Sequence, residues 1–190
     1  MTDELLDVIN EKDQVIGREM RAEVHRAGLW HRGIHVFLFT PDGKLLVQTR
    51  GRHRQAFPLA LDCSVSEHVK SGESYLQAAR RGLREELSLS RIRLYPLVKF
   101  AMLYGPNDLE ICTLYQGSVG TAQINFDPGE VEGIAYYQLE ELDSLIQKGS
   151  LPISGWFVQL ISWYLGRQHE MQLLRVYRPG NKYLPNQSAG

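Results

Sequence analysis

The stretch EHVKSGESYLQAARRGLREELSL, residues 67–89, decides how the rest of the chain is read. From about Glu73 the apolar residues Leu76, Ala79, Leu83 and Leu87 recur at steps of three and four, which places them on one stripe of a helix ending near Ser88. Arg81, Glu85 and Glu86 fall off that stripe, and Arg81 and Glu85 are spaced for an ion pair that fixes the carboxylate's direction. Adjacent carboxylates such as Glu85 and Glu86 repel unless a positive charge lies near them, and a hard, oxygen-seeking cation such as Mg²⁺ relieves that repulsion. A solvated helix face carrying an ordinary surface pair is the plain alternative. Ahead of the helix, Gly72, Glu73 and Ser74 form a flexible turn with an acidic residue suited to the positive end of the helix dipole.

Taken whole, the segment resembles the Nudix box: Gly, five residues, Glu, seven residues, then Arg-Glu-apolar-any-Glu-Glu-any-Gly-apolar. Glu73 takes the first Glu, Arg81 the Arg, Leu83 the apolar position, Glu85 and Glu86 the pair, and Leu89 the closing apolar residue. Three positions depart: Glu67 stands for the first Gly, Gly82 for the Glu after Arg81, and Ser88 for the last Gly. In the family the Glu missing at Gly82 is a metal ligand often linked to activating water. Gly82 also weakens the helix by roughly 1 kcal/mol relative to Ala. The resemblance implies an α/β fold, an α/β/α sandwich with a mixed sheet, over roughly Leu5 to Leu165.

Bulk properties narrow the class. At 190 residues and 43% hydrophobic content, one domain with a sizeable core is expected, over residues 1–177, followed by an extended or disordered tail over 178–190. A net charge of -1 gives no electrostatic argument for nucleic acid or an anionic membrane. The local run Arg50, Arg52, Arg54 reads as a solvated loop or as a phosphate contact. Two cysteines, Cys63 and Cys112, show no paired spacing, so a reducing interior is expected. The acidic N-terminal residues lack an apolar signal core, and no run approaches 18 apolar residues, so a cytoplasmic location follows.

Along the chain, Leu5–Asn10 and Val15–Gly17 flank a turn at Glu11-Lys12-Asp13, and Met20–His25 looks helical. Trp30–Phe39 and Lys44–Arg50 form a strand pair around Thr40-Pro41-Asp42-Gly43. Phe57–Val69 mixes short strand and loop. Ile92–Tyr104 and Leu109–Gly117 are strands joined through Gly105-Pro106-Asn107, and Gly133–Leu139 is another. Glu140–Lys148 is a short helix, and Trp156, Leu160, Ile161 and Leu165 mark an amphipathic helix running to about Gln168.

Within the Nudix superfamily, EVHRAGLWHRGIHVFLFTPDGKLLVQTR with CSVSEHVKSGES is similar to the branch of type I isopentenyl-diphosphate isomerase and its related hydrolases. That resemblance implies a metal held by three histidines and two acids, at positions matching His25, His31, His68, Asp108 and Glu110. Alternation puts Asp108 and Glu110 on one face of a strand. Such donors suit Zn²⁺, Mn²⁺ or Fe²⁺, whereas Glu85 and Glu86 prefer Mg²⁺. His35 and His53 read as surface or hydrogen-bonded residues.

Isomerisation needs an acid and a base on opposite faces of the substrate, and the isomerases' cysteine position is Ser66 here, whose hydroxyl is a poor acid. Trp156 matches the isomerases' aromatic residue facing a cationic intermediate, or is plain core. Arg50 and Ser66 are further candidates for contacting substrate. The leading expectation is a Mg²⁺- or Mn²⁺-dependent hydrolase of a small-molecule diphosphate, with Glu85 and Glu86 on the metal, Arg81 orienting them, and Glu110 as base or added ligand. An isomerase-like enzyme and a non-catalytic diphosphate-binding module are the alternatives. Substrate identity and oligomeric state are not legible.

Overall fold

Between His31 and Phe39 the chain is apolar on both sides. Ile34, Val36 and Leu38 pack with Val65, Ala78, Ala79, Leu83 and Leu87, while Phe37 and Phe39 pack with Leu97, Phe157, Leu160 and Tyr164. Successive side chains of a strand point to opposite faces, so this segment must be covered on both.

The computed structural model describes residues 4–105, 107–120 and 124–178. In chain order the elements are β1 (Leu5–Ile9), β2 (Val15–Met20), α1 (Arg21–Ala27), β3 (His31–Phe39), β4 (Leu45–Arg50), β5 (Leu61–Asp62) and β6 (Val65–His68). They continue with α2 (Tyr75–Leu87), β7 (Tyr95–Gly105), β8 (Asp108–Ser118), β9 (Val131–Tyr137), α3 (Leu139–Lys148), α4 (Gly155–Tyr164) and β10 (Gln172–Val176).

β1 and β2 form their own two-stranded sheet. The eight-stranded sheet runs β10-β7-β8-β3-β4-β5, with β6 also on β3 and β9 on β4; the β3–β8 pair is parallel and the other pairs are antiparallel. Helix α2 covers one face, and α3 and α4 cover the other. This is the expected α/β/α sandwich around a mixed sheet.

Register positions the chemistry. Parallel pairing sets His31 opposite Glu110, and antiparallel pairing sets Gly33 opposite His68 and His35 opposite Ser66. Three separate segments therefore deliver polar residues to one end of the sheet.

Several local expectations shift. The Thr40–Gly43 turn closes with Gly43 at φ +81°, yet β3 and β4 pair only at Leu38–Leu46 and Phe39–Leu45, because β3 takes β6 and β8 as its main partners. Helix α2 begins at Tyr75 under a reciprocal cap between Ser74 and Gln77. It ends at Ser88, whose φ of +53° is the left-handed conformation that glycine adopts most easily. Helix α4 stops at Tyr164, short of Gln168, where Gly166 turns the chain at φ +71°. β10 was not expected: QLLRV is exposed throughout and pairs at the sheet edge with β7. Pro106 of the expected connection lies outside the described residues, as do residues 179–190 of the expected tail. Among the described residues no helix is long and apolar enough to cross a membrane.

Candidate functional site

Helix α2 carries Arg81, Glu85 and Glu86, and they do not share a solvated face. Arg81 is 6% and Glu86 3% exposed, whereas the Glu85 side chain is about half exposed. The plain reading of a wet helix face thus holds for Glu85 alone. Arg81 spends its donors on Glu73 at 3.0 Å, Glu67 at 2.9 Å, Glu85 at 3.2 Å and the His68 carbonyl at 2.7 Å. It is a clamp that joins the end of β6, the loop before α2 and α2 itself.

Glu86 accepts from Gln48 at Oε2, 3.0 Å, while its buried Oε1 has no hydrogen-bond partner. Burial, and then the nearby charge of Glu67, hold its carboxyl well above the ordinary range. An unpartnered buried carboxylate oxygen is costly unless a cation or a proton compensates it.

A second group assembles where β3, β6, β8 and α1 meet. The rings of His25, His31 and His68 lie 4.9–5.3 Å apart between centroids. His31 Nε2 is 3.3 Å and His68 Nε2 3.5 Å from Glu110 Oε1, and His25 Nδ1 is 3.4 Å from Asp108 Oδ1. The structure therefore brings together all five residues matched to the isomerase-type metal site. His25 Nε2, His31 Nε2 and Asp108 Oδ1 are buried without hydrogen-bond partners, which fits a cation among them. Burial would raise the Glu110 carboxyl, but the adjacent imidazoles of His31 and His68 hold it well below its ordinary range. Its other oxygen, Oε2, accepts from the Cys112 thiol at 2.9 Å. Glu110 sits with the histidines and the thiol and faces the same cavity as Glu85 and Glu86.

Both groups open onto one cavity of about 350 Å³, lined among others by His25, His68, Glu67, Glu86, Glu110 and Trp156. Its floor is a hydrogen-bond cluster around Asp62, which receives Trp156 Nε1 at 2.6 Å, Ser154 Oγ at 2.9 Å and Arg50 Nη1 at 2.6 Å. Trp156 also lies under the Arg50 guanidinium at 5.0 Å. Arg50 is buried and committed to Asp62, Arg52 pairs with Glu132, and Arg54 pairs with Glu130 at the cavity. The basic run is therefore not a free loop, because each arginine has its own acidic partner.

Ser66 lines the cavity, with Oγ 3.0 Å from His35 Nδ1 and 3.3 Å from Asp62 Oδ1. His35 is buried, 4% exposed, and belongs to the cavity wall. Cys63 lies behind that wall, its Sγ 3.9 Å from His35 Nδ1. Asp62, Gln48, Asp127 and Glu130, which bind or flank these groups, were not among the expected site residues. Only Asp62 carried a signal, as a lone acid inside the apolar run ALDCSV.

Comparison with known proteins agrees with this fold. The NUDIX domain model matches residues 29–157, and the chain belongs to the Nudix family. A solved structure from Deinococcus radiodurans superposes with a TM-score of 0.74 at 30% identity, covering 83% of this chain and 97% of that one. An uncharacterized Nudix hydrolase of Nostoc sp. is 42% identical over 45% of this chain, a match that spans about half, 52%, of that relative's length. Isopentenyl-diphosphate Delta-isomerase 1 of Bos taurus is 27% identical over 85% of this chain and 82% of its own.

Proposed function

We propose that this chain is a divalent-metal-dependent hydrolase of a small molecule in which a diphosphate is linked to another moiety. The observation that carries the reading is the Glu86 carboxylate, buried beside the cavity with Oε1 unpartnered. Mg²⁺ or Mn²⁺ bound there would neutralise phosphate oxygens and acidify a water. Glu85 and Glu86 would hold it, and Arg81, which does not reach the cavity, positions the helix carboxylates. Arg21 and Arg54 line the cavity and could meet a phosphate oxygen, whereas Arg50 is held by both Asp62 and the Ala56 carbonyl. Trp156 offers the other moiety an apolar wall.

The histidine group favours a second reading, an isopentenyl-diphosphate isomerase-like enzyme, with His25, His31, His68, Asp108 and Glu110 on a borderline ion such as Mn²⁺ or Zn²⁺. Ser66 in place of the acidic thiol weighs against it.

Purified protein with Mg²⁺ or Mn²⁺ should release phosphate-containing products from at least one of a panel of nucleoside, sugar and isoprenoid diphosphates, and Glu86→Gln should abolish release. Conversion of isopentenyl diphosphate without hydrolysis would favour the isomerase reading. Tight ligand binding with no turnover would leave a non-catalytic binding module.

A further inference from the structure

We propose that Glu67, lodged over Gly82, shares a divalent cation with Glu86 at the cavity. This deepens the metal-dependent reading above and rests on it.

The space over Gly82 is already taken. A Cβ built at Gly82 would lie 2.6 Å from Val65 Cγ1, closer than side chains tolerate, and 3.0 Å from Glu67 Cγ, a tight contact. The glycine therefore allows the Glu67 stem, arriving from the end of β6, to cross α2. Beyond that crossing the carboxylate lines the same cavity as Glu85 and Glu86, with 13% of its side chain exposed. Arg81 takes Oε2 at 2.9 Å, while Oε1 makes no hydrogen bond among the described residues. Gly82 and Glu86 are one turn apart on α2, so the Glu67 side chain crosses the same face of the helix that carries Glu86. Two carboxylates in one cavity, one of them buried with an orphan oxygen, form a donor set for a hard cation.

Glu67 and Gly82 are accordingly one exchange. The carboxylate absent from α2 is delivered by the adjoining strand end, and Gly82 leaves the room that the Glu67 stem uses. Returning Glu to position 82 alone would force it against Val65 and Glu67.

Titration of the metal-free chain with Mn²⁺, read by the electron paramagnetic resonance of the free ion, tests this on three proteins. Glu86→Gln defines which site belongs to the helix. Glu67→Gln keeps an oxygen for Arg81, which also holds Glu73 and Glu85, and should weaken that same site at least about tenfold while the chain remains folded. Unaltered Mn²⁺ affinity in Glu67→Gln, while Glu86→Gln loses the site, overturns the proposal and leaves the metal reading standing. An intact chain that binds no Mn²⁺ overturns both. If Glu67→Gln does not fold, the question passes to Val65→Ala/Glu67→Gly/Gly82→Glu, which returns the carboxylate to α2. Recovery of the intact affinity there supports the exchange, and its loss overturns it.

Discussion

The Trp156 indole donates to Asp62 Oδ1 across 2.6 Å, tying α4 to the short strand β5 beneath the cavity. Asp62 is fully buried, and its other oxygen holds the Arg50 guanidinium, itself 6% exposed. Breaking a buried ion pair from one side strands the remaining charge, at a cost of about 3–5 kcal/mol. Asp62→Asn should lower stability in urea by about that amount. A loss under about 1 kcal/mol would show that Arg50 finds water or another partner.

Ser88 ends α2 in the left-handed conformation, where a side chain costs about 1 kcal/mol relative to glycine. Ser88→Gly should raise stability by roughly that margin, offset in part by the greater freedom of glycine in the unfolded chain. Its Mn²⁺ affinity should match that of the intact chain. A destabilised Ser88→Gly in thermal unfolding would mean that the hydroxyl has a role beyond the turn.

Asp7 ties the N-terminal hairpin to the loop leading into α2, accepting from the Ser71 hydroxyl at 2.7 Å and the Gly72 amide at 3.2 Å, with Arg18 and Arg32 nearby. Burial works to raise its carboxyl, but those donors and charges prevail and hold it below the ordinary 3.8. A depressed carboxyl contributes stability above its unfolded value and loses it as pH falls through the folded value. Asp7→Asn should therefore cost about 1–3 kcal/mol at pH 7, and the difference should close as the pH drops below the unfolded value. A difference that persists unchanged in acid would assign the effect to packing.

Gly33 is where β3 passes beneath Glu110: an added Cβ would lie 2.5 Å from Glu110 Oε2 and 2.8 Å from Cys112 Sγ. Gly33→Ala should leave the fold intact, since a carboxylate end can move, yet turn Glu110 away from His31 and His68. Calorimetry with Zn²⁺ or Mn²⁺ should show affinity at the histidine group falling about 10- to 100-fold.

The architecture was legible because β3 is apolar on both faces and α2 carries a clean stripe, so layer and helix follow from periodicity. The site was legible only as a set of residue types. Glu85 and Glu86 looked equivalent, and it is the packing of α2 against the sheet that buries one and leaves the other half exposed. His35 looked ordinary because its position opposite Ser66 depends on the β3–β6 register, a long-range pairing with no local signature. The arginine run misled for a related reason, since its acidic partners Asp62, Glu130 and Glu132 come from other strands and loops. Glu67 and Gly82 looked like two separate losses, and only the fold shows one side chain filling the space the other vacates. β10 escaped because an exposed edge strand shows no apolar alternation.

Whether the buried Glu86 carboxylate holds a divalent cation is tested most directly by calorimetric titration of metal-free protein with Mg²⁺ and Mn²⁺. The titration is run alone and with a nonhydrolysable diphosphate, on the intact chain and on Glu86→Gln. Saturable binding that tightens with the diphosphate and disappears in Glu86→Gln is the expected result. A folded intact chain that binds neither ion, or a Glu86→Gln variant that binds both as before, would contradict it.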